Sequence, residues 1–365
     1  MASPSNSSPD SLESFVESVN GESHLRIETD FGDGFVRLRT SEAERRQAAQ
    51  DIRSSEDIVV ELLRNARDAK ASHIFVATCC VGSKRSIVVI DDGIGIPDKM
   101  HERIFEPRVT SKLDTSHMDK WGLHGRGMAL YSIAQNSESS RVVCSQPSKG
   151  TSIVIETDTD KLGEKADQSS FPTFTMSEEG TVVVRGPKNI ARTVCEFAIE
   201  EHADCSVYLG TPSEILATLY AYGVSTLSKV ERAFTKNAND LPITKRLALS
   251  SDPADFSQTA SSIGLAISER TARRILNGAI SDVDSMLNRV SIIEKATKSD
   301  NGKRLAKSKN RPATKVCAED REAVLAAALT EYAKIAKQYY LDPDVEGKTS
   351  VKNGELTISI PLIEI

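Results

Sequence analysis

Three residues with the right types for chemistry share one face of a short helix. In the run VVELLRNARDAK, residues 59–70, a helical advance of roughly 100° per residue puts Glu61, Asn65 and Asp68 within about 60° of one another. Val59, Leu62, Leu63, Ala66 and Ala69 fill a separate arc of about 120°, the face that seeks a core. Arg64 and Arg67 take the third sector, so the acid, amide and acid are more than the solvated back of an amphipathic helix. Asparagine is a mediocre helix former and needs a reason to sit mid-helix. A carboxylate can accept a proton from water, and an amide oxygen is a neutral ligand for a hard cation.

The elements that must position this strip follow in order. A strand-like run at 86–90 ends in Asp91-Asp92-Gly93-Ile94-Gly95-Ile96-Pro97. Next come a helix, a loop and GLHGRGMAL at 122–130, and then Lys149-Gly150-Thr151 opens a strand at 152–156. Taken singly, glycines after a strand mark only a tight turn. Upstream, HLRIETDFGDGFVRLRT alternates as two strands around a Gly-Asp-Gly turn.

Taken together, this succession resembles the nucleotide-binding domain shared by DNA gyrase, a heat-shock chaperone, histidine kinases and MutL, the GHKL superfamily. The resemblance covers residues 24–158, under half the chain, with four boxes in the expected order, the first reading E-x-x-x-N-x-x-D-A. It implies a Bergerat-type two-layer α/β sandwich that binds ATP with Mg²⁺. Asn65 is then the metal residue, since Mg²⁺ with ATP takes few protein ligands beside phosphate oxygens and waters. Glu61 is the candidate general base for a water near the terminal phosphate; the competing reading is a surface ion pair with Arg64 at i+3. Asp68 belongs to the same ATP-binding box. Asp91 aligns with the aspartate that reads adenine through its exocyclic amine, followed by Gly93, Gly95 and Ile96, where the backbone must pass close to the base. Gly122, Leu123, His124, Gly125, Arg126, Gly127 and Met128 lead into a helix at 128–134, whose first amides would face the phosphates. Thr151 matches a position that supports the adenine through its hydroxyl.

Between the glycine boxes, Phe105-Glu106-Pro107-Arg108-Val109-Thr110-Ser111-Lys112 resembles both the FEP stretch of histidine kinases and the TSK stretch of MutL. It is expected to lead into a lid, LDTSHMDK, that closes over the nucleotide. Lys112 is a candidate phosphate contact, or an exposed lysine without a role. His117 and His124 lack the partners and spacing of a metal centre. The first box is closer to the hydrolysing branch, MutL and the type VI topoisomerase B subunit, than to histidine kinases. Only His24 precedes that box, which argues against autophosphorylation in cis; transfer to a separate partner stays open.

Composition fits a soluble multidomain protein: 365 residues, 39% hydrophobic, 27% charged, six scattered cysteines without a C-x-x-C pair, and a net charge of −6. No signal peptide or long apolar run is present, so the expected location is cytoplasmic. The expected organisation begins with a disordered tail at 1–20 and the ATP domain at 21–160. A polar linker at 161–174 leads to a small β-α-β-α unit at 175–245. A helix-turn-helix-like region at 246–294, a basic linker at 295–318, and a C-terminal helix and strand at 319–365 complete it.

The small unit occupies the place of the transducer domain that, in the hydrolysing branch, lends a lysine to the terminal phosphate. Lys188 is a candidate there, against a reading in which this unit only packs. QTASSIGLAISERTARRILNG, 258–278, resembles a helix-turn-helix with two extra turn residues; Arg270, Thr271 and Arg274 are candidate DNA contacts. An ordinary helical hairpin with a solvated arginine face explains it equally well. The stretch 295–315 holds eight basic residues against one acid, suited to phosphates or to a solvated linker. The function expected is a slow Mg²⁺-dependent ATPase acting as a conformational switch. It is expected to be a homodimer, with dimerisation that depends on ATP, and to serve an unknown protein partner with no membrane. The alternatives are a protein kinase acting on a partner and an ATP-sensing DNA-binding regulator.

Overall fold

The computed structural model describes residues 27–111, 117–119, 122–124, 127–176, 182–235, 237–289, 318–336, 341–345, 347–352, 355–361 and 363. The N-terminal tail, the basic stretch 295–315, Lys112, Gly125 and Arg126 lie outside them. The described residues through Arg289 form one compact unit, and those from Ala318 onward a second.

The chain opens with the antiparallel pair β1 (Ile27–Gly32) and β2 (Phe35–Leu38), turning through Asp33 and Gly34 at positive φ. Helix α1 (Glu42–Ala49) starts in a capping box, with Ser41 and Glu44 each satisfying the other's backbone amide. Helix α2 (Ser55–Asp68) is capped by Ser54 and carries the polar strip. Strands β3 (His73–Val81) and β4 (Lys84–Asp91) pair antiparallel. The short strand β5 (Val109–Thr110) joins β2, and β6 (His117–Asp119) pairs with β7 (Gly122–His124). Helix α3 (Ala129–Asn136) leads to β8 (Ser139–Ser145) and β9 (Thr151–Asp158).

Beyond these lie the hairpin β10 (Thr173–Met176) and β11 (Val182–Arg185), then α4 (Ile190–Glu200), β12 (Ser206–Gly210) and α5 (Pro212–Thr226). The first unit closes with α6 (Lys229–Phe234), the 3-10 segment Ile243–Leu249, α7 (Pro253–Ser262) and α8 (Glu269–Leu276). In the second unit, α9 (Ala318–Ala336) precedes β13 (Lys348–Lys352) and β14 (Glu355–Ser359). These two strands pair with each other, so the C-terminal strand finds its partner within the chain.

The central mixed sheet runs β12-β3-β4-β9-β8, with β12 parallel to β3 and every other pair antiparallel. Period-two alternation divides its side chains. Ile74, Val76, Ile87, Val89, Ile153 and Ile155 face a core shared with α2, α3 and α4. Phe75, Ala77, Val88, Ile90 and Val154 face a second core, with α5, Ile243 and Leu247, α7 and α8. Each fully buried Ile or Phe contributes about 1.5–3 kcal/mol to holding a layer in place.

The fold is thus an α/β core with a five-stranded sheet against helices, as the motifs imply. Three features were not legible in the sequence. The strand of the expected small unit, β12, is an edge strand of the ATP-domain sheet itself. The helix-turn-helix-like pair α7 and α8 covers the second face of that sheet. Ser152 Oγ donates to the Ile263 carbonyl at 2.7 Å, and an added Cβ on Gly264 would come within 2.8 Å of Val154. Finally, the polar segment read as a linker is strapped across α2. The Lys165 amide and Gln168 Nε2 both donate to the Glu56 carboxylate, and Asn189 Nδ2 donates to the carbonyls of Asp167 and Ser170. Its polar residues make tertiary bonds that a hydropathy pattern does not register.

Candidate functional site

On the first face of the sheet, between α2, α3 and α4, lies a cavity of about 670 Å³, the size of a pocket for one nucleotide-like ligand. It is lined by Glu61 and Asn65 of α2, Asp91, Gly95 and Ile96 at the end of β4, Gly127 and Met128 before α3, and Thr151 of β9. The fold therefore brings together residues from four separated boxes.

Asp91 continues the parity of Ile87 and Val89, which turns it toward this face. It is 5% exposed and accepts from the Gly93 amide at 2.8 Å. Burial pushes its carboxyl up to about 7, against the lowering bonds from Gly93 and Thr151. Asp92 has the opposite parity and a structural task, accepting from the amides of Ser72 and His73 and from His73 Nδ1 at 2.7–2.9 Å. Burial raises its pKa, but those bonds outweigh it and hold the carboxyl below the usual range.

Gly93 and Gly95 are required by protein packing. An added Cβ would lie 2.7 Å from the Ala69 carbonyl at Gly93 and 2.0 Å from the Gln146 carbonyl at Gly95, where φ is +75°. Ser145 Oγ donates to the Gly150 carbonyl at 2.9 Å, so its contact with Thr151 Oγ1 at 3.1 Å is a bond that Thr151 donates. Ser145 also accepts from the Ile96 amide at 2.7 Å, tying the glycine loop to the Thr151 strand.

On the α2 wall, Arg64 Nη1 donates to Glu61 Oε1 at 2.6 Å. This i+3 pair is no surface feature: the Arg64 side chain is 3% exposed, and both residues line the cavity. Asn65 Nδ2 is buried without a hydrogen-bond partner. An unpartnered buried donor calls for an acceptor; a hard cation would be held by the other end of the amide, its oxygen.

Asp68 does not line the cavity, although the helical wheel places it on the same strip. Its Oδ1 accepts from Arg67 Nε and Nη2 at 3.1 and 3.0 Å, while Arg67 Nη1 reaches Glu201 at 2.7 Å. One more turn of helix carries Asp68 past the cavity into the seam with the end of α4. Gly127, at φ +68°, backs onto β5, and α3 begins at Met128 without a side-chain cap. Gly122, Leu123 and His124 form β7, paired with β6.

Four basic residues lining the cavity come from outside the recognised boxes or from unexpected parts of them. Arg108 precedes β5, Lys165 belongs to the strap, and Lys188 and Arg192 lie before and on α4. Lys188 is the lysine named as a candidate from the sequence; β12 pairing with β3 is what carries α4 to the cavity. At α8, Arg270, Arg273 and Arg274 are exposed, whereas Ala272 and Ile275 are buried. Thr271 is half-buried, its hydroxyl 3.1 Å from that of Ser268, so it takes part in the helix cap.

The sheet and the order of the residues along the cavity are those of a GHKL-type fold. Residues 50–161 match the family of histidine kinase-, DNA gyrase B-, and HSP90-like ATPases. Over 109 residues the chain is 37% identical to the DNA mismatch repair protein MutL of Aquifex pyrophilus, covering 28% of this chain and 25% of that protein. The MutL of Rickettsia canadensis is 40% identical over 102 residues, covering 28% and 17%. The chain thus spans a quarter or less of the length of these relatives. A solved structure, full-length ShkA in complex with AMPPNP, overlaps 54% of this chain and 44% of its own at 15% identity with a TM-score of 0.23, too low to carry an argument. Among the described residues no helix is long and apolar enough to cross a membrane.

Proposed function

We propose that this protein binds ATP with Mg²⁺ and hydrolyses it slowly, using the change in phosphate state as a conformational switch. The observation that supports the reading is the gathering of Glu61, Asn65, Asp91, Gly127 and Thr151 in the wall of one nucleotide-sized cavity. Asp91 accepts from the exocyclic amine of adenine. The amides at Gly127, Met128 and the first turn of α3 receive the phosphates. Glu61, oriented by Arg64, accepts a proton as water oxygen bonds to the terminal phosphorus and ADP leaves with the bond electrons. Asn65 would hold Mg²⁺, which when bound neutralises phosphate charge. Lys188, across from α2 on the approach to α4, is our candidate for a lysine at the terminal phosphate. Nucleotide-dependent dimerisation is the output we assign to the switch.

Glu61→Gln tests the hydrolytic step. ATP affinity should persist while phosphate release falls at least about a hundredfold; release at the parent rate removes Glu61 as the base. Appearance of phosphate on a separate protein, without free phosphate, would favour the kinase reading. A second reading, nucleotide-sensing with DNA contact, draws on the exposed Arg270, Arg273 and Arg274 of α8.

A further inference from the structure

Arg108 carries a half-filled fork in the cavity wall. It is 8% exposed and lies at φ +55°, a left-handed conformation that side chains other than glycine seldom adopt. Its carbonyl is fixed by the Leu38 amide at 3.0 Å, and its backbone lies against Gly127, whose added Cβ would be 3.3 Å from the Arg108 carbonyl carbon. Arg108 is therefore held beside the glycine that opens α3. Its guanidinium presents Nε and Nη2 along one edge, the pair of parallel donors that matches two oxygens of a carboxylate or phosphate. Glu44 of α1 takes Nη2 only. Nε is buried and has no hydrogen-bond partner. A buried donor left unfilled next to an opening costs stability until a ligand supplies an acceptor.

Resting on the ATP-binding reading above, we propose that Arg108 binds a phosphoryl group of the nucleotide through both Nε and Nη2, displacing Glu44. A phosphoryl group offers two oxygens where Glu44 offers one, and it carries more charge. The exchange releases Glu44, whose other oxygen remains in the capping box with Ser41 at the start of α1. Phosphate occupancy is thereby reported to α1, the element that follows β2.

Two substitutions in the full-length protein separate this from the nucleotide reading itself. Binding of AMPPNP and of adenosine is measured by calorimetry with Mg²⁺. Arg108→Gln should weaken AMPPNP by about tenfold or more, the worth of a charged hydrogen bond, and leave adenosine unchanged. Glu44→Gln keeps the capping box, which glutamine also satisfies, but competes less for the guanidinium; AMPPNP should tighten by roughly threefold or more. If wild type binds both ligands and Arg108→Gln binds AMPPNP equally well, the Arg108 assignment is overturned while the nucleotide site stands. Unchanged or weaker AMPPNP binding by Glu44→Gln overturns the competition. Should Arg108→Gln not fold, Arg108→Lys, which keeps the charge but lacks the fork, must show the same selective loss. If wild type binds neither ligand, the nucleotide reading and this proposal fall together.

Discussion

Replacing Asp91 by asparagine should strengthen the ligand-free fold and weaken the site. The carboxyl moves from its ordinary 3.8 up to about 7 on folding because burial strips its water. A carboxyl raised in this way stabilises the fold fully below the unfolded value, and that stability is lost as pH rises from about 4 through about 7. Above pH 7 the ionised group therefore costs roughly 4 kcal/mol. Asparagine keeps the acceptor for the Gly93 amide but leaves an amide donor facing the cavity, at about 1–3 kcal/mol. The net expectation is that Asp91→Asn is more stable than the parent by on the order of 2 kcal/mol at pH 8, with the advantage gone by pH 4. Urea unfolding without nucleotide, at both pH values, measures it. A variant less stable than the parent at pH 8 would refute the account of a strained buried carboxylate. In the parent, ATP affinity should rise as pH passes through about 7, because the amine of adenine is a better match to the carboxylate than to the acid. In the variant this pH dependence should vanish, and discrimination against GTP should fall.

Asn65→Ala should abolish the Mg²⁺-dependent part of ATP binding while leaving adenosine binding intact; titration of both ligands with and without Mg²⁺ checks this, and a retained Mg²⁺ effect removes Asn65 as the metal residue. Gly95→Ala should destabilise the fold by about 2–4 kcal/mol, because its Cβ would meet the Gln146 carbonyl at 2.0 Å; a thermal shift near zero counts against the tight loop. If α8 contacts DNA, Arg270→Ala with Arg274→Ala should weaken duplex binding by the full-length protein and flatten its salt dependence, whereas absence of binding at low salt leaves α8 as a sheet-covering helix. A fragment starting at Pro242 is the wrong reagent for that test, since α7 and α8 bury Phe256, Ala260, Ala272 and Ile275 against the sheet and α5.

The amino-acid sequence alone sufficed to place the polar face of α2 as far as Asn65, the end of β4 at Asp91, the tight glycine loop and Thr151. Each is written in short-range spacing: a 3.6-residue period, a two-residue alternation, or glycines where a Cβ has no room. Local caps likewise set helix starts, at Ser54, Asn189 and the Thr211–Glu214 capping box. The rest depends on partners distant in the chain, which only packing brings together. Asp68 lies on the right strip, yet Arg67 and Glu201 draw it into a seam that exists only because α4 packs beside α2. Arg64, assigned to the sector away from core and chemistry, is buried against Glu61. The arginines of α8 resemble a recognition helix, but whether a helical pair reads a groove or covers a sheet depends on what its apolar face meets. Here that face meets Val88, Ile90 and Val154 on the back of the ATP domain. Arg108 and Lys165 reach the cavity through pairing of β2 with β5 and through the strap over Glu56. Local rules fix which side of an element a residue takes; only the closing of the sheet and its layers decides what stands opposite it.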